Sequence, residues 1–133
     1  MDEPMDRQAA EAEEASVDQE AATPTARLIL KRNGAETEVD FVVHPPSVVG
    51  RFDPDVGPID IDLGLLPEGV YVSRRHARIE FADGAWRITD LGSSNGTFLL
   101  KPSAGQFERI QEAELADGSE LAFGNVRFVF RVG

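Results

Sequence analysis

The chain has 133 residues, contains no cysteine and carries a formal net charge of −11 at pH 7. This length suits one domain, and the lack of thiols excludes a disulfide framework and thiolate metal sites. The acidic balance repels nucleic-acid backbones and anionic membranes, so we expect neither as a partner.

The first 24 residues differ in composition from the rest of the chain. They hold eight of the 24 acidic residues and one arginine, a net charge of −7, which leaves −4 for the other residues. Because they contain almost no large apolar side chains, they cannot bury enough area to offset the entropy lost on ordering. We therefore predict a disordered tail over residues 1–24 and one folded domain over residues 25–133. A short helix from Gln8 to Ala15 is the alternative, although an isolated helix of that length is marginal in water.

Targeting signals are not visible in the sequence. The N-terminus lacks the basic start and apolar run of a signal peptide. No segment approaches the roughly 18 apolar residues that a membrane span requires. We therefore expect a cytoplasmic protein.

From residue 26 onward, short half-apolar runs separated by turn residues predict strands. The first runs are ARLILKR, TEVDFVVH and SVVGR, with Asn33-Gly34 as the tight turn between the first two. HARIEFADGAWRITDL reads as a second hairpin, and GTFLL, QFERI, SELAF and NVRFVFRV follow it. The low β-propensity of IQEAELADG predicts a connecting loop. Many short strands with almost no helical period predict an all-β sandwich or barrel.

Four short pieces at predicted strand ends carry the chemistry: VGR, SRRH, LGSSNGT and ADGSELAFGNVRFVF. In a sandwich the loops collect at the ends of the sheets, so distant residues can converge there. Arg51, Ser73, Arg74 and the Ser94-Asn95 turn offer two cations, hydroxyls, backbone N–H groups and an amide. These are the donors that one phosphate and a length of peptide backbone need.

The order GR, then SxxH, then NG(T), closed by DGxxxxFG, resembles the forkhead-associated (FHA) domain over about residues 26–132. The resemblance implies an 11-stranded β-sandwich whose apical loops bind phosphothreonine peptides. It assigns Arg51 as the main phosphate cation, Ser73 as a hydroxyl donor and Arg74 as a second phosphate contact. Ser94 would donate to the phosphate, and Asn95 would bond the peptide backbone. The positions that it implies to be structural are Gly50, His76, Gly96 and Thr97.

Residues 52–71, FDPDVGPIDIDLGLLPEGVY, depart from the family pattern with five acids and no basic residue. Four aspartates here are oxygen donors that a calcium ion could use, but their spacing fits no EF-hand loop. They are Asp53, Asp55, Asp60 and Asp62. We instead predict that this loop rims the phosphate site and disfavours acidic peptides, and that IDIDL forms a strand.

An enzymatic interpretation would place Ser73, His76 and Asp90 in a catalytic triad. No nucleophile elbow or oxyanion motif surrounds them, so we expect no catalysis and no cofactor. Arg75 and Arg78 are interpreted as surface charges, because alternate residues of a strand cannot all face one loop.

The predicted function is a monomeric phosphothreonine-binding adaptor in serine/threonine kinase signalling. Its partners would be phosphothreonine-containing proteins, such as a kinase or its substrates. The alternative is a phospho-independent scaffold that uses a sheet face of the same fold. Thr23 and Thr25 are candidate phosphorylation sites, because some small bacterial FHA proteins with a similar layout are shut by a phosphorylated tail. The paired-threonine sequence of such tails is missing here, so the hypothesis includes both autoinhibition and pairing in trans.

Overall fold

The computed structural model describes residues 24–101, 103 and 105–133. Within these residues the chain forms eleven strands and two short 3-10 helices, in two sheets. The strands are β1 (Ala26–Arg32), β2 (Ala35–Val43), β3 (Ser47–Gly50), β4 (Ile61–Asp62), β5 (Ala77–Ala82), β6 (Ala85–Asp90), β7 (Thr97–Lys101), β8 (Gln106–Ile110), β9 (Glu112–Leu115), β10 (Glu120–Phe123) and β11 (Val126–Val132). The 3-10 helices are Leu63–Leu65 and Pro67–Tyr71.

The two sheets contain six and five strands. Their orders are β2-β1-β11-β10-β7-β8 and β4-β3-β5-β6-β9, and every pairing is antiparallel except β3 with β4. Buried side chains from both sheets form one core, in which Phe123, Phe128 and Phe130 are among the largest fully buried groups. The predicted all-β sandwich of about eleven strands is therefore confirmed.

Two tight turns close hairpins where the sequence predicts them. Asn33 and Gly34 both have positive φ, at 55° and 78°, and Asp83 and Gly84 have φ of 53° and 77°. Two consecutive positive φ angles are the geometry of a type I′ turn, which matches the twist of antiparallel strands. Asparagine, aspartate and glycine adopt this conformation at low cost, which explains why the turns form at these residues.

The prediction of a loop over IQEAELADG is wrong, because residues 112–115 form β9 at the edge of the five-stranded sheet. Leu115 is buried and stands opposite Trp86 of β6, while Ala113 stands opposite Ile88. Burial of one face and pairing with β6 thus outweigh the low β-propensity of the two glutamates.

The predicted IDIDL strand is shorter than expected. Only Ile61 and Asp62 pair with β3, and the chain then turns into the first 3-10 helix. The Asp62 side chain caps that helix by accepting a hydrogen bond from the Gly64 N–H at 2.9 Å. The aspartate that looks like a strand residue therefore ends the strand.

Strand β1 runs from the start of the domain to the end of the sandwich that carries the loops of residues 52–76 and 91–96. Just before its first residue, the Gly133 N–H donates to the Thr25 carbonyl oxygen at 2.9 Å. At its last residue Arg32 forms an ion pair with Glu68 of the second 3-10 helix.

The described residues begin at residue 24. Residues 1–23 of the predicted tail, including Thr23, therefore lie outside them. None of the helices described is long and apolar enough to cross a membrane.

Candidate functional site

Arg51 follows β3 directly, and its backbone and side chain are both held in place. Its N–H donates to the carbonyl oxygens of Ser73 at 3.1 Å and Arg74 at 3.3 Å. Its Nε donates to the Val72 carbonyl oxygen at 3.0 Å. The guanidinium is therefore oriented by the segment that precedes β5, rather than free to sample the surface.

Gly50 makes this close approach possible. A Cβ on residue 50 would lie 2.1 Å from the Arg74 carbonyl oxygen, well inside van der Waals contact. Only glycine lets β3 lie this close to the 73–74 backbone. The structure thus gives a steric reason for glycine at a position that the resemblance implies to be structural.

The loops converge on an open pocket of about 400 Å³ at this end of the sandwich. Its lining residues are Arg51, Val56, Ser73, Arg74, Arg75 and Ser94. The Ser94 N–H donates to Ser73 Oγ at 3.1 Å, so the Ser73 hydroxyl can donate its own hydrogen to an anion in the pocket. Four of the five predicted ligand-binding residues meet here, and their individual roles stay predictions.

Asn95, the fifth predicted ligand-binding residue, lies beside this pocket rather than in it. Its Nδ2 donates to the Tyr71 carbonyl oxygen at 2.9 Å. Together with Tyr71, Phe98, Gly124 and Asn125 it lines a neighbouring hollow of about 370 Å³. Because Ser94 and Asn95 are consecutive, this hollow adjoins the first pocket.

Arg75 lines the pocket as well, although the sequence predicts a surface charge rather than a phosphate ligand there. Strand β5 begins only at Ala77, so Arg74 and Arg75 precede it on a bend, where strict alternation does not apply. Arg78, inside β5, forms an ion pair with Glu80 at 2.9 Å instead. The pocket therefore has three arginines, of which sequence reasoning identified two.

His76 braces the pocket from below and is completely buried. Its Nδ1 accepts a hydrogen bond from the Ser73 N–H at 3.1 Å, and its Nε2 lies 2.8 Å from the Gly96 carbonyl oxygen. This pattern needs a neutral ring with the proton on Nε2. Burial lowers the pKa of His76 below its usual value, outweighing the opposing effects of the Gly96 carbonyl and Asp90.

Asp90 organises the loop that carries Ser94, and sequence reasoning missed this role. Its Oδ1 accepts from the hydroxyls of Ser93 at 2.6 Å and Thr97 at 2.7 Å. Its Oδ2 accepts from the N–H groups of Gly92 and Ser93, both at 3.0 Å. Burial alone would raise the pKa of Asp90, but these hydrogen bonds, led by Ser93 and Thr97, hold it below its usual value. Serine two or three residues after an aspartate at a strand end is the sequence signal of such a turn.

Gly96 and Thr97 complete this loop. Gly96 has φ of +92°, and a Cβ there would lie 2.8 Å from Nε of Arg109. Arg109 in turn donates to the Ser93 carbonyl oxygen at 3.3 Å. Thr97 is fully buried against Asp90.

The contacts do not form a catalytic triad. His76 bonds the backbone N–H of Ser73, whereas the Ser73 hydroxyl accepts from Ser94. The carboxylate of Asp90 is engaged by hydroxyl and backbone donors of its own loop. The residues that looked like nucleophile, base and acid therefore hold two loops together.

The aspartates of residues 52–71 serve the backbone. Asp62 Oδ1 accepts from the N–H groups of Phe52 and Gly64, and Asp60 Oδ2 accepts from the Val48 N–H at 2.8 Å. Asp53 Oδ1 accepts from the Asp55 N–H at 2.8 Å, while its Oδ2 lies 3.7 Å from Nη1 of Arg74. In the part of the chain that is described, no cluster of three or more histidine, aspartate or glutamate side chains could hold a metal ion.

Comparison with known proteins gives the family. The family model for the FHA domain matches residues 33–124. The chain belongs to the FHA domain family. A solved FHA structure, from work on phosphothreonine-dependent FHA domain interactions, has a TM-score of 0.61 and 25% identity, over 80% of this chain and 95% of that one.

Two curated relatives are regulators by name. The glycogen accumulation regulator GarA of Mycolicibacterium smegmatis is 34% identical over 82% of this FHA chain and 60% of its own length. The oxoglutarate dehydrogenase inhibitor of Corynebacterium efficiens is 31% identical over 82% of this chain and 67% of its own. The match to GarA thus spans about three fifths of that protein.

Proposed function

We propose that this FHA domain binds phosphothreonine peptides and acts as a cytoplasmic, non-catalytic adaptor in serine/threonine kinase signalling. The observation that carries the proposal is that the Arg51 guanidinium and the Ser73 hydroxyl line one open pocket. Arg74, Arg75 and Ser94 line the same pocket. The partner would be a phosphothreonine-containing protein, such as a kinase or one of its substrates.

The charge and shape of the pocket support a phosphoryl group as the ligand. A phosphothreonine carries about −1.5 to −2 charges and three acceptor oxygens, which three arginines and a hydroxyl match. Each charge-assisted hydrogen bond contributes roughly 1.5–3 kcal/mol net. A plain threonine would lose nearly all of these bonds, so binding should depend on phosphorylation.

Regulation by binding also fits the names of the relatives. GarA is named as a regulator of glycogen accumulation and the corynebacterial protein as an inhibitor of oxoglutarate dehydrogenase, so both names describe regulation. The alternative is a phospho-independent scaffold that binds through a sheet face. The pocket geometry favours the phosphate-dependent function, because a scaffold of that kind does not require three arginines around one hydroxyl.

The test is titration of a degenerate phosphothreonine peptide library, and of its unphosphorylated copy, against three forms of the protein. Wild type should bind only the phosphorylated library. Arg51→Ala should weaken that binding by about tenfold to a hundredfold. Arg78→Ala is the matched control, because Arg78 pairs with Glu80 outside the pocket. Equal binding of phosphorylated and plain peptides by wild type would favour the scaffold.

A further inference from the structure

Large apolar side chains are concentrated on the surface next to the pocket. Eight of them are exposed in the described part of the chain, and five belong to residues 52–71: Phe52, Val56, Leu65, Val70 and Tyr71. Leu65 is 78% exposed and Val70 71%. Such a concentration within one short stretch marks an interaction surface more than single scattered apolar residues do.

The exposure does not come from loose packing of this stretch. Leu63 and Val72, on either side of the exposed groups, are buried in the core, and Leu66 packs against it. A Cβ on Gly69 would lie 2.0 Å from the Leu63 carbonyl oxygen, so the two 3-10 helices are in close contact. Glu68 forms an ion pair with Arg32 of β1. The stretch is thus anchored at several points while it holds Leu65 and Val70 in solvent.

The apolar groups continue directly from the phosphate pocket. Val56 lines the pocket itself. Gly64, which precedes Leu65 in the chain, approaches the Arg51 side chain so closely that a Cβ there would lie 2.9 Å from Cγ. The carbonyl oxygen of Tyr71 accepts the Asn95 amide. Residues at both ends of the 52–71 stretch therefore lie close to the residues of the site.

We propose that residues 52–71 form an accessory docking surface for large apolar side chains next to the phosphothreonine of the partner protein. The inference rests on the proposed function and adds the class of sequence that the site selects. Burial of these side chains would add apolar contact area to an interface that otherwise buries little beyond one phosphothreonine. The five acids and absent basic residues of the stretch disfavour acidic neighbours, so the selected segment is apolar and neutral or basic.

The experiment uses two synthetic phosphothreonine peptide libraries that differ only in the flanking positions. One library has Leu, Ile, Val and Phe there, and the other has Ser, Asn, Gln and Gly. Binding of each is measured by fluorescence anisotropy for wild type, for Leu65→Ser with Val70→Ser, and for Val42→Ser with Val132→Ser. The last pair is the matched control, because Val42 and Val132 are exposed on β2 and β11.

Wild type and the control should bind the apolar library roughly five- to thirtyfold more tightly than the polar library. The Leu65→Ser, Val70→Ser protein should lose this preference and still require the phosphate. Equal affinity of wild type for both libraries, or a preference that survives in the double variant, would overturn the inference and leave phosphate binding intact. Wild type that binds phosphorylated and plain peptides alike would instead overturn the proposed function.

A second copy of the chain is the competing occupant of this surface. Sedimentation velocity distinguishes a second copy from a partner protein. If a dimer buries the surface, wild type should be dimeric and the Leu65→Ser, Val70→Ser protein monomeric. That result would overturn the docking inference. A monomer in both forms, together with the library preference, supports it.

Discussion

The Ser73 N–H donates to Nδ1 of His76, at 3.1 Å, inside the fold. The other ring nitrogen of His76 faces the Gly96 carbonyl oxygen. One buried neutral imidazole thus joins the loop of the pocket hydroxyl to the loop of the Ser94-Asn95 turn. A second proton on the ring would remove the acceptor that the Ser73 N–H needs.

Stability should therefore fall as the pH falls below about 6.5. Burial lowers the pKa of His76 in the folded chain, so near its usual value of 6.5 the unfolded chain binds a proton that the folded chain resists. The stabilisation that neutral His76 provides is fully present above that pH. Below it, the free energy of unfolding falls by up to about 1.4 kcal/mol per pH unit. Urea unfolding from pH 5 to 8 measures the slope, and NMR titration of the ring should give a midpoint below 6.5. His44→Gln, a change at the other histidine, should keep the wild-type profile.

Asp90→Asn should destabilise the domain by about 2–4 kcal/mol. The amide keeps the shape of the side chain, but its NH2 group would face hydroxyl or N–H groups that donate hydrogen bonds to the carboxylate in the wild type. Phosphopeptide binding should weaken as well, because the loop of Ser94 loses its support. Asp83→Asn is the control, since asparagine tolerates the positive φ of that exposed turn. Equal urea midpoints for the two variants would contradict the role given to Asp90.

Asp53→Asn should strengthen phosphopeptide binding by about two- to fivefold. Asp53 lies 3.7 Å from Arg74, so in the free protein it competes for a cation that lines the pocket. The pair is partly exposed, with 52% of the Arg74 side chain accessible, so the gain is small and should shrink at high salt. Asp40→Asn, which removes the partner of Arg27 on β1, should leave affinity unchanged. Weaker binding by Asp53→Asn would show that the carboxylate positions Arg74 rather than competing for it.

Arg75→Ala should weaken phosphothreonine binding by about three- to tenfold, because Arg75 lines the pocket from the bend before β5. The loss should be smaller than for Arg51→Ala, since the Arg51 side chain is oriented by the hydrogen bond from its Nε to the Val72 carbonyl oxygen. Titration of the phosphopeptide library measures both. An affinity equal to that of Arg78→Ala would place Arg75 outside the contact with the phosphate.

Sequence reasoning predicted the sandwich because its strands alternate and its hairpins use Asn33-Gly34 and Asp83-Gly84, which are local signals. It failed at residues 112–115, where Glu112 and Glu114 have little intrinsic preference for a strand. That strand exists because β6 offers an unpaired edge and a place for Leu115 in the core. A partner distant in sequence decides such a strand, and a single sequence does not reveal the partner.

The site shows the same division between local and distant causes. Gly50 and Arg51 could be placed from the resemblance, and the convergence of four predicted ligand-binding positions follows from the fold. Treating Arg75 as a strand residue leaves it out of the site, although Arg74 and Arg75 lie on a bend and β5 begins only at Ala77. The sequence suggests Asp90 only as the third member of a triad, because hydrogen bonds within a turn carry no marked sequence signature beyond an aspartate followed by serine.

The bond from the Gly133 N–H to the Thr25 carbonyl oxygen determines how a phosphorylated Thr25 could act. Strand β1 spans seven residues between that bond and the end of the domain where Arg32 meets Glu68, a length of about 20 Å. Thr23 is two residues earlier, and two residues reach at most about 7 Å. A phosphate on Thr25 would therefore lie far from the pocket of the same molecule, and the short reach back to residue 23 adds little slack. The fold thus favours the hypothesis of pairing in trans over autoinhibition, and such head-to-tail contacts would join copies into rings or open filaments rather than shutting a single one.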